Sequence, residues 1–173
     1  MLHETSEQER AAMWRAAVEV MGKIHLLDYK ALGFGHLEKA GTTALQNQLD
    51  YWQDYLVWAL EGGGHAICQA ALDWLQARQP AAEPTVLCWG DSRIGNIIFR
   101  ESLDGVAAVL DWEMAVLGNP VQDLAWFNYM DAIFSEGLGM PRLAGLPSYE
   151  DSIDQWQQQT GYSARDYDYY LVF

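Results

Sequence analysis

The sequence predicts an α+β fold, mainly α, with one small β-hairpin region. Three observations predict it. Apolar residues recur at three- and four-residue steps through roughly the first 80 positions, the signature of amphipathic helices. The period then changes near Val86, where short β-like runs alternate with polar loops. Capped helices resume after Asn119.

Taken in order, "TSEQERAAMWRAAVEVMGKIHLL" opens on Thr5 or Ser6 as a cap with acids in the first turn. Trp14, Ala17, Val18, Met21, Ile24 and His25 form its apolar stripe, with His25 read as a satisfied core histidine. The glycine-rich stretch from Asp28 to Gly41 is a loop. A second helix starts at Thr42 or Thr43, buries Leu45, Leu49, Trp52, Leu56 and Leu60, and is stopped by Gly62 to Gly64. A third, "HAICQAALDWLQARQP", turns Ile67, Ala71, Trp74 and Leu75 inward. "QPAAEP" links it to the strands inside the same domain. Val86 to Cys88, Ile97 to Phe99 and Val106 to Leu110 are the strand-like runs, with Asp104-Gly105 as a hairpin signal between the last two. In "GNPVQDLAW", Asn119 caps a helix with Pro120 at its first position and Gln122 completing a capping box. Ser148 and Asp151 form a second box, and "SARDYDYYLVF" reads as a last helix.

Composition narrows the function. A chain of 173 residues, half of them hydrophobic, supports one globular domain. The 24 acids against 10 bases give a formal charge of −14, which argues against nucleic acid and anionic membrane as partners. Cys68 and Cys88 lie far apart without a CxxC, so neither a disulfide scaffold nor a zinc site is expected, and a reducing, cytoplasmic setting fits. No apolar run is long enough to span a bilayer.

Chemistry concentrates in "CWGDSRIGNIIF". Asp91 sits in a short polar loop, Asn96 follows five positions later, and Asp111 leaves the end of the next hairpin, free to fold back beside Asn96. Asp and Asn in a turn can simply bond their own backbone. Phosphoryl transfer to an alcohol asks for more: an acceptor for the hydroxyl proton, and hard oxygen ligands that hold Mg²⁺ against nucleotide phosphates. Protein kinases place their catalytic Asp and metal-binding Asn at the same five-residue spacing.

"WGDSRIGNIIF…VAAVLDWEMAVLGNPVQDLAW" resembles the aminoglycoside phosphotransferase and choline kinase family, most nearly the branch found near acyl-CoA dehydrogenases. The resemblance implies the C-terminal lobe of a protein-kinase-like fold, with the small β-hairpin carrying the catalytic and metal loops. It implies Asp91 as the catalytic base, Asn96 and Asp111 as Mg²⁺ ligands, and Asp123 as a brace for the catalytic loop. ATP would be the co-substrate and a small-molecule hydroxyl the acceptor. Arg93 is open to two readings, a contact to an anionic substrate or phosphate and a solvated loop arginine. One departure is visible: the family's usual His before Gly-Asp is Trp89 here. A second is that the family's N-terminal lobe, with its glycine-rich strand pair and phosphate-holding lysine, has no counterpart in residues 1–173. The chain is therefore expected to be the C-terminal lobe alone, inactive by itself, with an apolar patch bared near Trp89, Trp112 and its start. A non-catalytic remnant or interaction module that keeps the fold is the alternative.

Overall fold

The computed structural model describes residues 2–61, 63–81 and 84–173. Helix α1 (Glu7–His25) runs through the middle of the lobe. Ser6 caps it, its hydroxyl accepting from Glu9 N at 3.3 Å while the Glu9 carboxylate accepts from Ser6 N at 2.7 Å. The whole expected stripe, from Trp14 to His25, is buried. The Trp14 ring packs at a tilt 4.6 Å from that of Phe127 and donates its indole N–H to Ser152 Oγ at 2.7 Å, so α1 is tied to two later helices at one residue.

Helix α2 (Ala44–Ala59) is capped by Thr43, whose hydroxyl accepts from Gln46 N at 3.0 Å. Only Leu45 and Leu49 of its expected face are fully buried, with Trp52, Leu56 and Leu60 half-covered; Tyr51, Tyr55 and Trp58 line an open side. The helix ends before the glycines expected to stop it, of which Gly62 lies outside the described residues. Helix α3 (Ala66–Ala77) corrects another expectation, because Ile67 is 76 % exposed and Leu72 joins Leu75 in the core. The reason is position: only the C-terminal half of α3 reaches the rest of the lobe, where Tyr169 donates to Leu75 O at 3.1 Å. Ala82 and Glu83 of the expected linker lie outside the described residues.

Two small antiparallel sheets follow, in place of a single hairpin region. Strand β2 (Ile97–Phe99) pairs with β3 (Val106–Val109), Ile97 opposite Val109, with an irregularity between Ile98 and Phe99. Their connection is wider than a two-residue Asp-Gly turn. Arg100 N donates to Gly105 O at 2.8 Å, and Leu103 takes the left-handed conformation at φ 59°. Strand β1 (Val86–Cys88) pairs with β4 (Val116–Gly118), a strand that periodicity did not announce because three residues show no period. This second sheet brings the approach to Asp91 and the exit from Asp111 side by side.

Helix α4 (Val121–Phe134) is buried on nearly every side from Val121 to Asn128. Asn119 Oδ1 accepts from Val121 N at 3.0 Å, as a cap should. The expected box is not completed, however. The Gln122 side chain turns inward toward Gly118, and neither of its polar atoms has a partner among the described residues. Helix α5 (Tyr149–Thr160) does carry its Ser148–Asp151 box, both bonds at 3.0 Å, and packs along α1. Helix α6 (Tyr167–Val172) closes against α4, where Asn128 Nδ2 donates to Tyr167 Oη at 2.9 Å. Between α4 and α5, the Arg142 guanidinium lies 4.9 Å from the Trp14 ring and 4.5 Å from the Tyr149 ring and bonds Asp131 at 2.6 Å.

Candidate active site

Gly90 starts the site. Its φ of +90° belongs to glycine, and a Cβ there would fall 2.1 Å from Met114 O, so the chain can pass β4's approach only without a side chain. That close passage delivers Asp91 to the rim of the lobe. A 3₁₀ turn at Ile94–Asn96 then folds the loop back. Asn96 Nδ2 donates to Asp91 O at 3.1 Å and to Asp91 Oδ2 at 2.7 Å. The side-chain amide nitrogen is thus spent on Asp91, and the side-chain Oδ1 of Asn96 accepts no hydrogen bond among the described residues.

Asp111 arrives from the other side. The β2–β3 register continues one step, with Leu110 N donating to Asn96 O at 2.8 Å, and Asp111 follows at φ 57°. Asp tolerates this left-handed conformation better than most residues. The turn swings its carboxylate out of the strand, half exposed at 49 %. Arg93 links the two acids: its Nε is 3.0 Å from Asp91 Oδ2 and its Nη2 3.9 Å from Asp111 Oδ2. The four expected residues of the loop and strand end therefore converge at one place.

Asp123 sits beneath them and is wholly buried. Its Oδ2 accepts from Trp89 N at 2.6 Å and its Oδ1 from Gly90 N at 2.9 Å, while its backbone carbonyl accepts from the Ser92 hydroxyl at 2.6 Å. His25 Nε2 is 3.0 Å from Oδ2. Trp156 Nε1 lies 2.9 Å from His25 Nδ1. An indole can only donate, so Nδ1 is the accepting nitrogen, and the imidazole proton sits on Nε2, pointing at Asp123. His25 is a satisfied core histidine, and it belongs to the brace. Cys88 Sγ completes a buried trio with these two side chains, within 4.8 Å. The carboxylate in that trio already takes three N–H donors, which makes it a hydrogen-bonded support.

Trp89, the residue before Gly90, is fully buried and donates its indole N–H to Leu110 O at 2.8 Å. It ties the loop of Asp91 to the strand end that presents Asp111. The expected patch is corrected on this point: Trp89 contributes nothing to the surface, while Trp112 (40 % exposed), Leu110, Met114 and Ile98 do. One residue escaped the sequence reading. Trp126 Nε1 donates to Asp91 Oδ1 at 3.1 Å. Its signal was the spacing to Asp123, since residues three apart on a helix share a face.

Comparison with known proteins identifies the family. The profile of the phosphotransferase enzyme family matches residues 2–158. The chain belongs to that family. It is 28 % identical to a candidate aminoglycoside phosphotransferase from Ralstonia eutropha, with a TM-score of 0.80 over 97 % of this chain and 53 % of that one. An aminoglycoside phosphotransferase of Streptomyces rimosus, solved with ADP and streptomycin, shares the fold at a TM-score of 0.62 and 20 % identity, across 98 % of this chain and 66 % of that one. Among curated proteins, acyl-CoA dehydrogenase family member 11 of Pongo abelii is 30 % identical over 86 % of this chain, and member 10 of mouse 32 % identical over 68 %. The chain spans 20 % and 11 % of the length of those two relatives. The fold is accordingly the protein-kinase-like phosphotransferase fold, α+β and mainly α. Among the described residues, no helix is long and apolar enough to cross a membrane.

Proposed function

We propose that this chain is the catalytic and acceptor-binding lobe of an ATP-dependent kinase that phosphorylates a hydroxyl group of a small molecule. The observation that carries the reading is the convergence of Asp91, Asn96 and Asp111, with Asp91 bonded to Asn96 Nδ2 and the side-chain Oδ1 of Asn96 left over. Asp91 takes the proton as the acceptor oxygen bonds to the γ-phosphorus and ADP leaves. Asn96 Oδ1 and the Asp111 carboxylate are hard oxygen donors, the kind Mg²⁺ selects, and would hold it. When bound, that ion neutralises charge on the nucleotide phosphates. Arg93, now on Asp91 and near Asp111, is the nearby cation able to meet a phosphate oxygen. Asp123 keeps the loop in shape through the backbone of Trp89 and Gly90.

The phosphates need a lysine and a glycine-rich loop as well. Among the described residues the first strand is Val86–Cys88, so we assign those parts to a separate N-terminal lobe, and the 173-residue chain alone should transfer no phosphate at a useful rate. Its charge of −14 also opposes a polyanion. The test is turnover of Mg-ATP by the full-length protein. Asp91→Ala should lower kcat about 100-fold or more, within the span that general-base catalysis supplies, and Asp111→Ala should raise the Mg²⁺ concentration required. Wild-type turnover in Asp91→Ala would remove the reading, as would phosphorylation by the 173-residue chain that survives Asp91→Ala.

A further inference from the structure

Both oxygens of the Asp91 carboxylate are held, but unequally. Oδ2 accepts from Asn96 Nδ2 at 2.7 Å and from Arg93 Nε at 3.0 Å. Oδ1 accepts from Trp126 Nε1 at 3.1 Å. Two oxygens offer about four lone-pair sites between them, so Oδ2 is filled and Oδ1 keeps one. A carboxylate's terminal torsion is broad and roughly two-fold, and the side chain is part-open to solvent, so orientation has to be imposed by donors. The donors on Oδ2 fix one oxygen, and the indole fixes the other.

Trp126 is placed for this and for little else. Its side chain is only half-buried, and it does not belong to the packed core formed by Trp14, Phe127 and Leu124. It stands three residues beyond Asp123 on α4. One helix face therefore braces the loop twice, with Asp123 on the backbone of Trp89 and Gly90 and Trp126 on the side chain of Asp91. The Trp126 ring lies 6.1 Å from that of Tyr129, and with Tyr170 and Phe173 the two wall a shallow pocket of about 160 Å³. An indole cannot accept a proton and carries no charge, so it can orient the base without competing for the transfer.

We infer that Trp126 is the positioning residue of the proton transfer: its N–H sets the carboxylate so that Oδ1, the oxygen with a lone-pair site to spare, receives the acceptor's proton. This rests on the reading of Asp91 as the base. A misplacement of about 1 Å at a reacting group costs on the order of 100-fold in rate, which sets the size of the effect. Trp126→Phe keeps a ring in the pocket wall and deletes the donor.

The experiment uses phosphate release from Mg-ATP by the full-length protein, with water standing in for the alcohol. Trp126→Phe should lower kcat about 10- to 100-fold and leave KM for Mg-ATP within about twofold. Trp126→His, which can return an N–H toward Oδ1, should recover part of the loss. In an Asp91→Ala background, Trp126→Phe should cost nothing further, because residues that act as a unit are non-additive. On the 173-residue chain, Asp91→Ala should move the Trp126 indole resonance and speed its hydrogen exchange, with the Trp14 and Trp156 indoles unmoved. An unchanged kcat in Trp126→Phe, an equal loss in both backgrounds, or an indole that ignores Asp91→Ala would overturn the assignment. If Asp91→Ala itself keeps wild-type turnover, the base reading fails first and takes this one with it. Where Asp91→Ala leaves too little turnover for the second step, the kcat–KM split and the histidine rescue decide.

Discussion

Asp123→Ala should destabilise the lobe far more than Asp91→Ala, although both remove one carboxylate from the same site. The Asp123 carboxylate is wholly buried and receives three N–H groups, from His25, Trp89 and Gly90, at 3.0, 2.6 and 2.9 Å. Alanine leaves all three without an acceptor. An unsatisfied buried donor costs about 1–3 kcal/mol, and neighbours that relax together cost less than their sum. About 3–5 kcal/mol is the expected loss, a large share of the roughly 5–15 kcal/mol that holds a domain together. At about 2–4 °C per kcal/mol for a chain of this size, the melting temperature should fall by roughly 6–20 °C. Asp123→Asn should recover little, because its amide NH₂ would face donors where an oxygen is needed. Asp91 is different: its carboxylate stands at the rim beside Asp111, and its donors can turn to water once it is gone. Thermal unfolding followed by circular dichroism compares the two. A melting temperature for Asp123→Ala that matches Asp91→Ala within a degree or two would refute the brace.

Further outcomes are expected. Trp156→Phe removes the donor to His25 Nδ1, 2.9 Å away, and should cost about 1–3 kcal/mol in urea unfolding, with the loss largely absent in a His25→Phe background. Gly90→Ala forces a Cβ to 2.1 Å from Met114 O at φ +90°, so it should displace the loop, seen as shifts of the Asp91 and Asn96 amide resonances and a lower melting temperature. Burial, and then the Asp131 charge, push the Tyr149 phenol up to about 12 from its usual 10. The unfolded chain loses that proton first, so the stability it contributes is intact below pH 10 and lost as pH rises toward 12. Urea midpoints should fall across that window, and less steeply in Tyr149→Phe.

The sequence by itself determined whatever is settled within one turn or one hairpin. Capping boxes at Ser6 and Ser148 were legible because donor and acceptor are three residues apart. The meeting of Asp91 with Asn96 was legible because a five-residue loop cannot separate them far. The arrival of Asp111 followed from a strand pair whose register, Ile97 to Val109, is set by a short connection. Tertiary structure decided everything carried by partners distant in the chain. His25 meets Asp123 across 98 positions and Trp156 across 131, and no local pattern says which buried imidazole finds which carboxylate. The apolar stripe placed His25 inside without naming its partner. Ile67 fits the helical period as well as Leu75 does, yet only Leu75 is covered, because periodicity marks a face and not what lies against it. Strand β4 exists only because β1 is there to pair with it; three residues have no strand tendency to speak of alone. Trp126 looked like one more apolar residue on a buried helix until the fold put its indole N–H against Asp91. Local spacing works through the covalent chain, which fixes distance directly. The brace and the positioning of the base depend on helix packing, where the same spacing suits many partners and the whole core selects one.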